Sequence, residues 1–127
     1  MNGAGFLAVG VGAMLGAWAR WLLGLWLNAA HPWLPLGTLA ANLAGGLLVG
    51  VAVAAFSDHP LIDAQWRLFL VTGFLGALTT FSTFSAEGVA LLMAGRIGAA
   101  LTHAALHLAG SLVATWVGIV AWRSLAA

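Results

Sequence analysis

Four long apolar stretches, separated by short polar segments, constrain this chain more than any other feature of its sequence. They occupy residues 6–27, 36–56, 68–93 and 99–122. The hydrocarbon core of a bilayer requires about 20 predominantly apolar residues per helix, so each stretch is long enough to cross it. Little of the chain remains for anything but ends and loops. The sequence therefore predicts an all-α integral membrane protein, in which residues 1–127 form a single domain of four transmembrane helices.

The charge content excludes a soluble globular protein. Charged residues make up 6% of the chain, whereas a soluble domain typically carries about 25%. They are Arg20, Arg67, Arg96, Arg123, Asp58, Asp63 and Glu87. Neither cysteine nor lysine occurs, which excludes disulfides, thiolate metal sites and lysine Schiff bases. The net charge of +1 is not a basic cluster, so we expect no nucleic-acid partner.

The arginines do not specify one orientation in the membrane. With four spans, Arg67 and Arg123 lie on one side, and Arg20 and Arg96 lie towards the other. The positive-inside rule sets orientation through an excess of basic residues on one side, and this chain has no excess. Two interpretations stay open. Either a single topology is weakly specified, or the chain has dual topology, with copies inserted in both directions and paired antiparallel.

Glycines at a spacing of four indicate close packing between helices. They include Gly12, Gly16, Gly24, Gly37, Gly45, Gly46 and Gly50. Small residues at this spacing let helix backbones approach each other in lipid, where the hydrophobic effect does not drive association. We expect at least two faces of each helix to meet protein, which favours a homo-oligomer.

Arg20 and Asn42 are polar residues within the first two stretches. Arg20 lies on the glycine-bearing face of its helix, so a water-filled vestibule that attracts anions is favoured over snorkelling to the membrane surface. A buried amide such as that of Asn42 most often ties two helices together. The alternative is that its NH2 group donates to a permeating anion.

The third stretch carries five hydroxyl residues and two phenylalanines near its centre, in the run GFLGALTTFSTFS at residues 73–85. A break over residues 76–80 would free backbone carbonyls for a hard cation such as Na+, provided that the segment lines protein or water. The alternative is a continuous helix whose hydroxyls bond to the preceding turn. Phe81 and Phe84 share a face, where they either pack or turn their electropositive ring edges towards a small anion.

The fourth stretch carries His103, His107, Ser111 and Thr115 at a spacing of four. The two histidines could hold zinc, but no cysteine or well-placed carboxylate is evident as a third ligand. We therefore predict a polar track and no metal site on this helix. Glu87 is the one candidate for a carboxylate inside the membrane, and its role is not assigned.

On these motifs the chain resembles the Fluc (CrcB) family of small microbial fluoride channels over essentially its whole length. The matching motifs are Gly16-x3-Arg20, Asn42 followed by Gly45-Gly46, and the run at residues 73–85. The last of these is long and specific.

The resemblance implies a fluoride-selective channel that exports fluoride passively across the bacterial inner membrane. It implies a dual-topology antiparallel homodimer with two anion pores, a third helix broken near its centre, and a central structural Na+. The carbonyls of Gly76 and Thr79 would hold the Na+, and Arg20 would lie in the vestibule. The anion pore would contain Asn42, Phe81, Phe84, Ser111 and Thr115.

Other classes of protein fit these residues less well. A small multidrug exporter of four helices resembles this chain in length, but it relies on a carboxylate in its first helix, where this chain has Arg20. A scaffold subunit would explain the glycines but not the run of hydroxyls and phenylalanines. An enzyme is the least favoured class, because no set of nucleophile, base and orienting group can be drawn from these residues.

Overall fold

The computed structural model describes residues 2–127, and helices dominate this range. The α-helices are α1 (Gly3–Leu27), α2 (Leu36–Asp58), α3 (Ala64–Arg67), α4 (Gly76–Leu78), α5 (Ser82–Met93) and α6 (Ile97–Ala126). A π-helical segment, Leu68–Leu75, joins α3 to α4, and a short 3-10 turn, Asn28–Ala30, follows α1. The prediction of an all-helical chain is confirmed.

Four segments are long and apolar enough to cross a membrane, as the sequence predicts. They are Gly3–Ala30, Leu36–Asp58, Ala64–Met93 and Ile97–Ala126. Each extends beyond the apolar stretch at one end or both, because helical turns continue into the flanking polar residues. The large apolar side chains that cover these segments are mostly exposed, as a surface in contact with lipid requires.

The polar segment expected between the second and third spans is shorter than residues 57–67. Its first residues belong to α2, and its last four form α3. Arg67 therefore lies in a helix, where its Nη2 donates to the Phe56 carbonyl at 3.1 Å and its guanidinium carbon lies 5.3 Å from the centre of the Phe56 ring. A cation near the C-terminal end of α2 complements the helix dipole.

Three residues at the ends of helices have conformations or contacts that suit those positions. Asn2 precedes α1, and its side chain accepts from the Gly5 N–H at 2.8 Å. Pro35 stands directly before α2, a position in which its missing N–H leaves no helical bond unmade. Gly95 adopts a φ of +73° in the turn before α6, a conformation that glycine takes without steric cost.

The glycines bring the helices together within one chain. α1 packs against the π-helical segment, where a Cβ on Gly12 or Gly16 would overlap a backbone carbonyl. α2 packs against α6, and Gly50 and Gly118 meet backbone there in the same way. Gly24 differs, since its nearest neighbour is the side chain of Asn28 in its own chain segment. Close packing is thus confirmed, but these contacts do not themselves require a second copy of the chain.

Adding one methyl group at a helix crossing is expected to destabilise the fold. Gly16→Ala places a Cβ against the Phe74 carbonyl, and such overpacking typically costs about 1–3 kcal/mol. Gly10→Ala on the same helix is the matched control, because nothing lies within 4 Å of the added Cβ. Free energies of unfolding in detergent should separate the two variants, and equal values would contradict this account of the glycines.

Candidate functional site

The third span changes its backbone conformation where its hydroxyl residues cluster. α4 ends at Leu78, Thr79 is extended with φ −85° and ψ 155°, and α5 begins at Ser82. The Thr79 N–H and its hydroxyl both donate to the Leu75 carbonyl, at 3.1 and 2.9 Å. A hydroxyl that bonds to the preceding turn competes with the helical bonds that would follow it.

Two backbone donors in this segment bond to side-chain oxygens. The Thr80 N–H donates to Asn42 Oδ1 at 2.8 Å, whereas in a continuous α-helix it would donate to the Gly76 carbonyl. The Thr83 N–H donates to the Thr80 hydroxyl at 3.1 Å, whereas a continuous helix would direct it to the Thr79 carbonyl. The carbonyls of Gly76 and Thr79 thereby lose their usual helical donors.

Asn42 joins α2 to both the third span and α6. Its Nδ2 donates to the Thr80 carbonyl at 3.0 Å and lies 2.9 Å from His107 Nδ1. Because an amide nitrogen only donates, His107 Nδ1 must be the acceptor, and the proton of the neutral ring lies on Nε2. His107 Nε2 is buried without a partner among the described residues. Both ends of the Asn42 amide bond to Thr80, so its orientation is fixed.

A cavity of about 560 Å³ lies between α2, the third span and α6. Its lining includes every predicted site residue except Arg20, namely Asn42, Gly76, Thr79, Phe81, Phe84, Ser111 and Thr115. Thr80 and His107 also line it, although the predicted site did not include them. The sequence signal for His107 was its place on the polar stripe of α6, one turn before Ser111.

The two phenylalanines stand side by side at the cavity wall. Their ring centres are 5.5 Å apart, and Phe81 is 78% exposed in the single chain. The Phe84 ring lies over two imidazoles, 5.1 Å from that of His103 and 4.8 Å from that of His107. Phe84 is therefore held by packing on α6, whereas Phe81 has an open face.

Arg20 lies apart from the other predicted residues. Its Nε donates to the Ala77 carbonyl at 3.0 Å, and its Nη1 donates to the Thr83 hydroxyl at 3.5 Å. It lines a separate cavity of about 400 Å³ together with Thr38 and Thr83. The guanidinium is thus bonded to the third span near its conformational change and does not extend along α1 towards the membrane surface.

Glu87 lies beside the two histidines of α6. Its Oε1 accepts from the Thr38 hydroxyl at 2.6 Å, and its Oε2 lies 3.7 Å from His103 Nε2. One ligand atom each of Glu87, His103 and His107 lies within 4.8 Å of the other two. The prediction that no carboxylate stands near these histidines is wrong. Spacing along one helix could not reveal that α5 packs against α6 at this level.

Thr38 was also absent from the predicted site. A signal for it was present, since it precedes Asn42 by four residues and lies on the same face of α2. Its backbone N–H donates to Asn28 Oδ1 at 3.1 Å, and its hydroxyl donates to Glu87 Oε1 and so orients that carboxylate.

The residues assigned to the Na+ by the resemblance suit that ion. Unwound backbone carbonyls are the ligands with which membrane proteins coordinate Na+, and Gly76 and Thr79 each offer one. Gly76 is exposed at the surface of the single chain. Two oxygens cannot surround a cation, so ligands from outside this chain would be needed to complete the site.

Comparison with known proteins gives consistent matches along the chain. The family model described as CrcB-like protein, Camphor Resistance (CrcB), matches residues 7–119. A protein from Cupriavidus metallidurans named "Fluoride-specific ion channel FluC" is 57% identical over 126 residues, which cover 99% of this chain and 100% of the relative. Proteins of the same name from Variovorax paradoxus and Chromohalobacter salexigens are 60% and 59% identical, over 95% and 94% of this chain and 96% and 90% of theirs.

These matches confirm the resemblance seen in the sequence motifs. The family is one of channels and not of enzymes, and the relatives are bacterial. Four spans make the chain a multi-pass membrane protein of a bacterium. Because the family model covers residues 7–119 and the relatives are matched over nearly their whole length, the chain belongs to the CrcB family.

Proposed function

We propose that this chain is a fluoride-selective channel that exports fluoride passively across the bacterial inner membrane. The observation that carries the proposal is the cavity of about 560 Å³, which gathers amide, hydroxyl and phenyl groups around one space. The printed names of the relatives support fluoride as the ion.

The donors around the cavity suit a small and strongly hydrated anion. Such an ion gives up its water only when several short-range donors replace it. Asn42, Ser111 and Thr115 offer neutral N–H and O–H groups, and phenyl ring edges carry a partial positive charge. Neutral donors let the ion leave again, as conduction requires. Arg20, in the separate cavity, attracts anions without holding them in the path.

The functional unit in this proposal is an antiparallel homodimer of dual topology. Phe81 is 78% exposed beside an open cavity, and Gly76 lies at the surface of the chain. A second copy would cover both. The balance of two arginines against two supports insertion in both directions. Each copy brings one set of donors, so a dimer has two anion pores.

Topology is tested most simply at the C-terminus, since the chain contains no cysteine. We expect a membrane-impermeant thiol reagent to reach about half of the Ala127→Cys chains from each side of the membrane, because the arginines give no preference. Adding lysines to the turn before α6 should shift this ratio and lower the yield of dimers. Labelling of almost all chains from one side would contradict dual topology.

The break in the third span supplies the proposed Na+ site. Gly76 and Thr79 from both copies would offer four carbonyl oxygens to one ion, and the ion would hold the two chains together. The carbonyls lack their usual helical donors because Asn42 and the Thr80 hydroxyl engage those N–H groups. A Na+ enclosed between two chains is structural and is not transported.

Removing Na+ is expected to weaken the dimer. Replacing it with a large organic cation leaves the carbonyls facing each other without a counter-charge, so the dimer fraction and the fluoride flux should fall together. Size exclusion and liposome flux, before and after restoring Na+, measure both quantities. A dimer fraction and flux that persist after verified removal of Na+ would exclude a structural role for the ion.

The proposed function is tested in cells that lack their own route for fluoride export. Expression of this chain should restore growth in fluoride, and the Asn42→Asp variant at equal expression should not. A scaffold subunit would leave growth unchanged with either chain. Resistance to cationic drugs in place of fluoride would favour the multidrug exporter.

A further inference from the structure

Three side chains that can ligate a metal meet where α5 packs against α6, beside the pore donors. Ligand atoms of Glu87, His103 and His107 lie within 4.8 Å of one another, and the two imidazole centres are 4.5 Å apart. His103 is completely buried and His107 is 4% exposed. The Glu87 side chain is 16% exposed and gives the cluster its contact with the outside.

Each of these side chains has a buried atom without a hydrogen-bond partner in the described part of the chain. The atoms are Glu87 Oε2, His103 Nδ1 and His107 Nε2. A buried polar atom that bonds to nothing is costly, and nearly all such atoms in proteins are satisfied. Glu87 Oε2 and His103 Nδ1 are unpaired acceptors, and His107 Nε2 becomes one when its proton moves to Nδ1, so a single bound ion would satisfy all three.

Neighbouring groups orient the cluster as they do around known metal sites. The Thr38 hydroxyl donates to Glu87 Oε1, which leaves Oε2 available. His103 Nε2 lies 3.2 Å from the Phe84 carbonyl and must donate to it, so Nδ1 carries the lone pair of the neutral ring. A histidine that ligates a metal commonly has its other nitrogen bonded to a carbonyl in this way.

We propose that Glu87, His103 and His107 bind a divalent transition-metal ion such as Zn2+, and that the bound ion blocks the anion path. Two imidazoles and one carboxylate form a ligand set that zinc takes in proteins, with a fourth position open to water. Zinc–ligand bonds of about 2.0–2.1 Å place the ligand atoms about 3.4 Å apart in a tetrahedron. Small side-chain movements would close the cluster to that size.

The block follows from the contact between His107 and Asn42. A neutral imidazole that ligates a metal through one nitrogen carries its proton on the other. If Nε2 binds the metal, a proton on Nδ1 faces the Asn42 NH2 group, and two donors cannot bond to each other. If Nδ1 binds the metal, its lone pair is no longer available to Asn42. Metal binding therefore breaks the Asn42–His107 hydrogen bond in either case.

The positive charge of the metal ion would also slow fluoride conduction. A divalent cation beside the cavity would hold an anion that must leave quickly for conduction to continue. The block rests on the proposed function, whereas the binding site does not.

Metal binding is tested on the purified protein after its affinity tag has been removed. Calorimetry with Zn2+, and the visible spectrum with Co2+, should show one ion per chain. Glu87→Gln, His103→Gln and His107→Gln should each weaken binding at least about tenfold. Glu87→Gln keeps an oxygen that can accept from Thr38, so it tests the ligand without removing that bond. His59→Gln, which alters an exposed histidine in an edge-to-face contact with Trp122, is the matched control.

The same proteins in liposomes test the block. Zn2+ should slow fluoride efflux through the wild type and the His59→Gln variant but not through Glu87→Gln. Equal Zn2+ affinity in all variants, or no binding by a wild type that conducts fluoride, would overturn the site and leave the proposed function intact. Binding without an effect on a working channel would overturn the block. Binding by a protein that conducts no fluoride would support the site and overturn the proposed function.

Discussion

Asn42→Asp is expected to lower fluoride flux at least about a hundredfold. The substitution removes an NH2 donor and puts a carboxylate at the cavity wall. Two like charges 4 Å apart repel by about 4 kcal/mol at an effective dielectric constant of about 20. That energy corresponds to about a thousandfold lower occupancy by the anion, since about 1.4 kcal/mol is a factor of ten.

Flux per assembled dimer is the quantity to compare, with assembly checked by size exclusion. Asn2→Asp is the matched control, because it makes the same chemical change at the start of α1, where aspartate can also accept from the Gly5 N–H. We expect Asn42→Ser to retain part of the flux through its hydroxyl. Flux that falls only in proportion to lost dimer would mean that Asn42 ties helices together and takes no part in the anion path.

Phe81→Ile is expected to reduce fluoride flux at least about tenfold while changing stability little. Isoleucine occupies similar space, and volume-conserving swaps usually cost less than about 1.5 kcal/mol, but its side chain has no electropositive edge. Phe84→Ile should reduce flux as well. It should also cost more stability, since the Phe84 ring stacks on His103 and packs against His107.

Phe6→Ile provides the comparison for both substitutions, because Phe6 is 66% exposed on α1 and lines neither cavity. Its flux per dimer should equal that of the wild type. If Phe81→Ile conducts as well as Phe6→Ile, the phenyl rings are packing residues and the anion follows another path.

The spans could be predicted from the sequence because a bilayer imposes a strict length on apolar helices. The conformational change after Leu78 was indicated by the hydroxyl residues that follow it, which offer the backbone alternative partners. The π-helical turns at Leu68–Leu75 were not foreseen. They lie against α1 at Gly12 and Gly16, and close packing between distant segments leaves no local signal.

The polar contacts also fall into those that the sequence predicts and those that it does not. The stripe of α6 and the glycine face of α2 follow from helical spacing alone. The bond between Asn42 and His107 depends on how α2 crosses α6. The approach of Glu87 to His103 depends on how α5 crosses α6. Sequence periodicity within a helix carries no information about those crossings.

The glycines show the limit of composition as an argument for assembly. Their number favoured a homo-oligomer, yet most of the close approaches they allow lie within one chain. The stronger reasons for a partner are the exposed Phe81 and the open cavity beside it. Neither is visible until the helices are packed.

The most direct test of the account is anion efflux from liposomes that contain the purified protein and are loaded with either fluoride or chloride. We predict rapid fluoride efflux driven by its gradient alone, without a proton gradient or nucleotide, and chloride efflux no faster than from protein-free liposomes. The Asn42→Asp protein, reconstituted as a dimer, should behave like protein-free liposomes for both ions. Equal efflux of fluoride and chloride, or fluoride efflux that the wild type does not accelerate, would contradict the account.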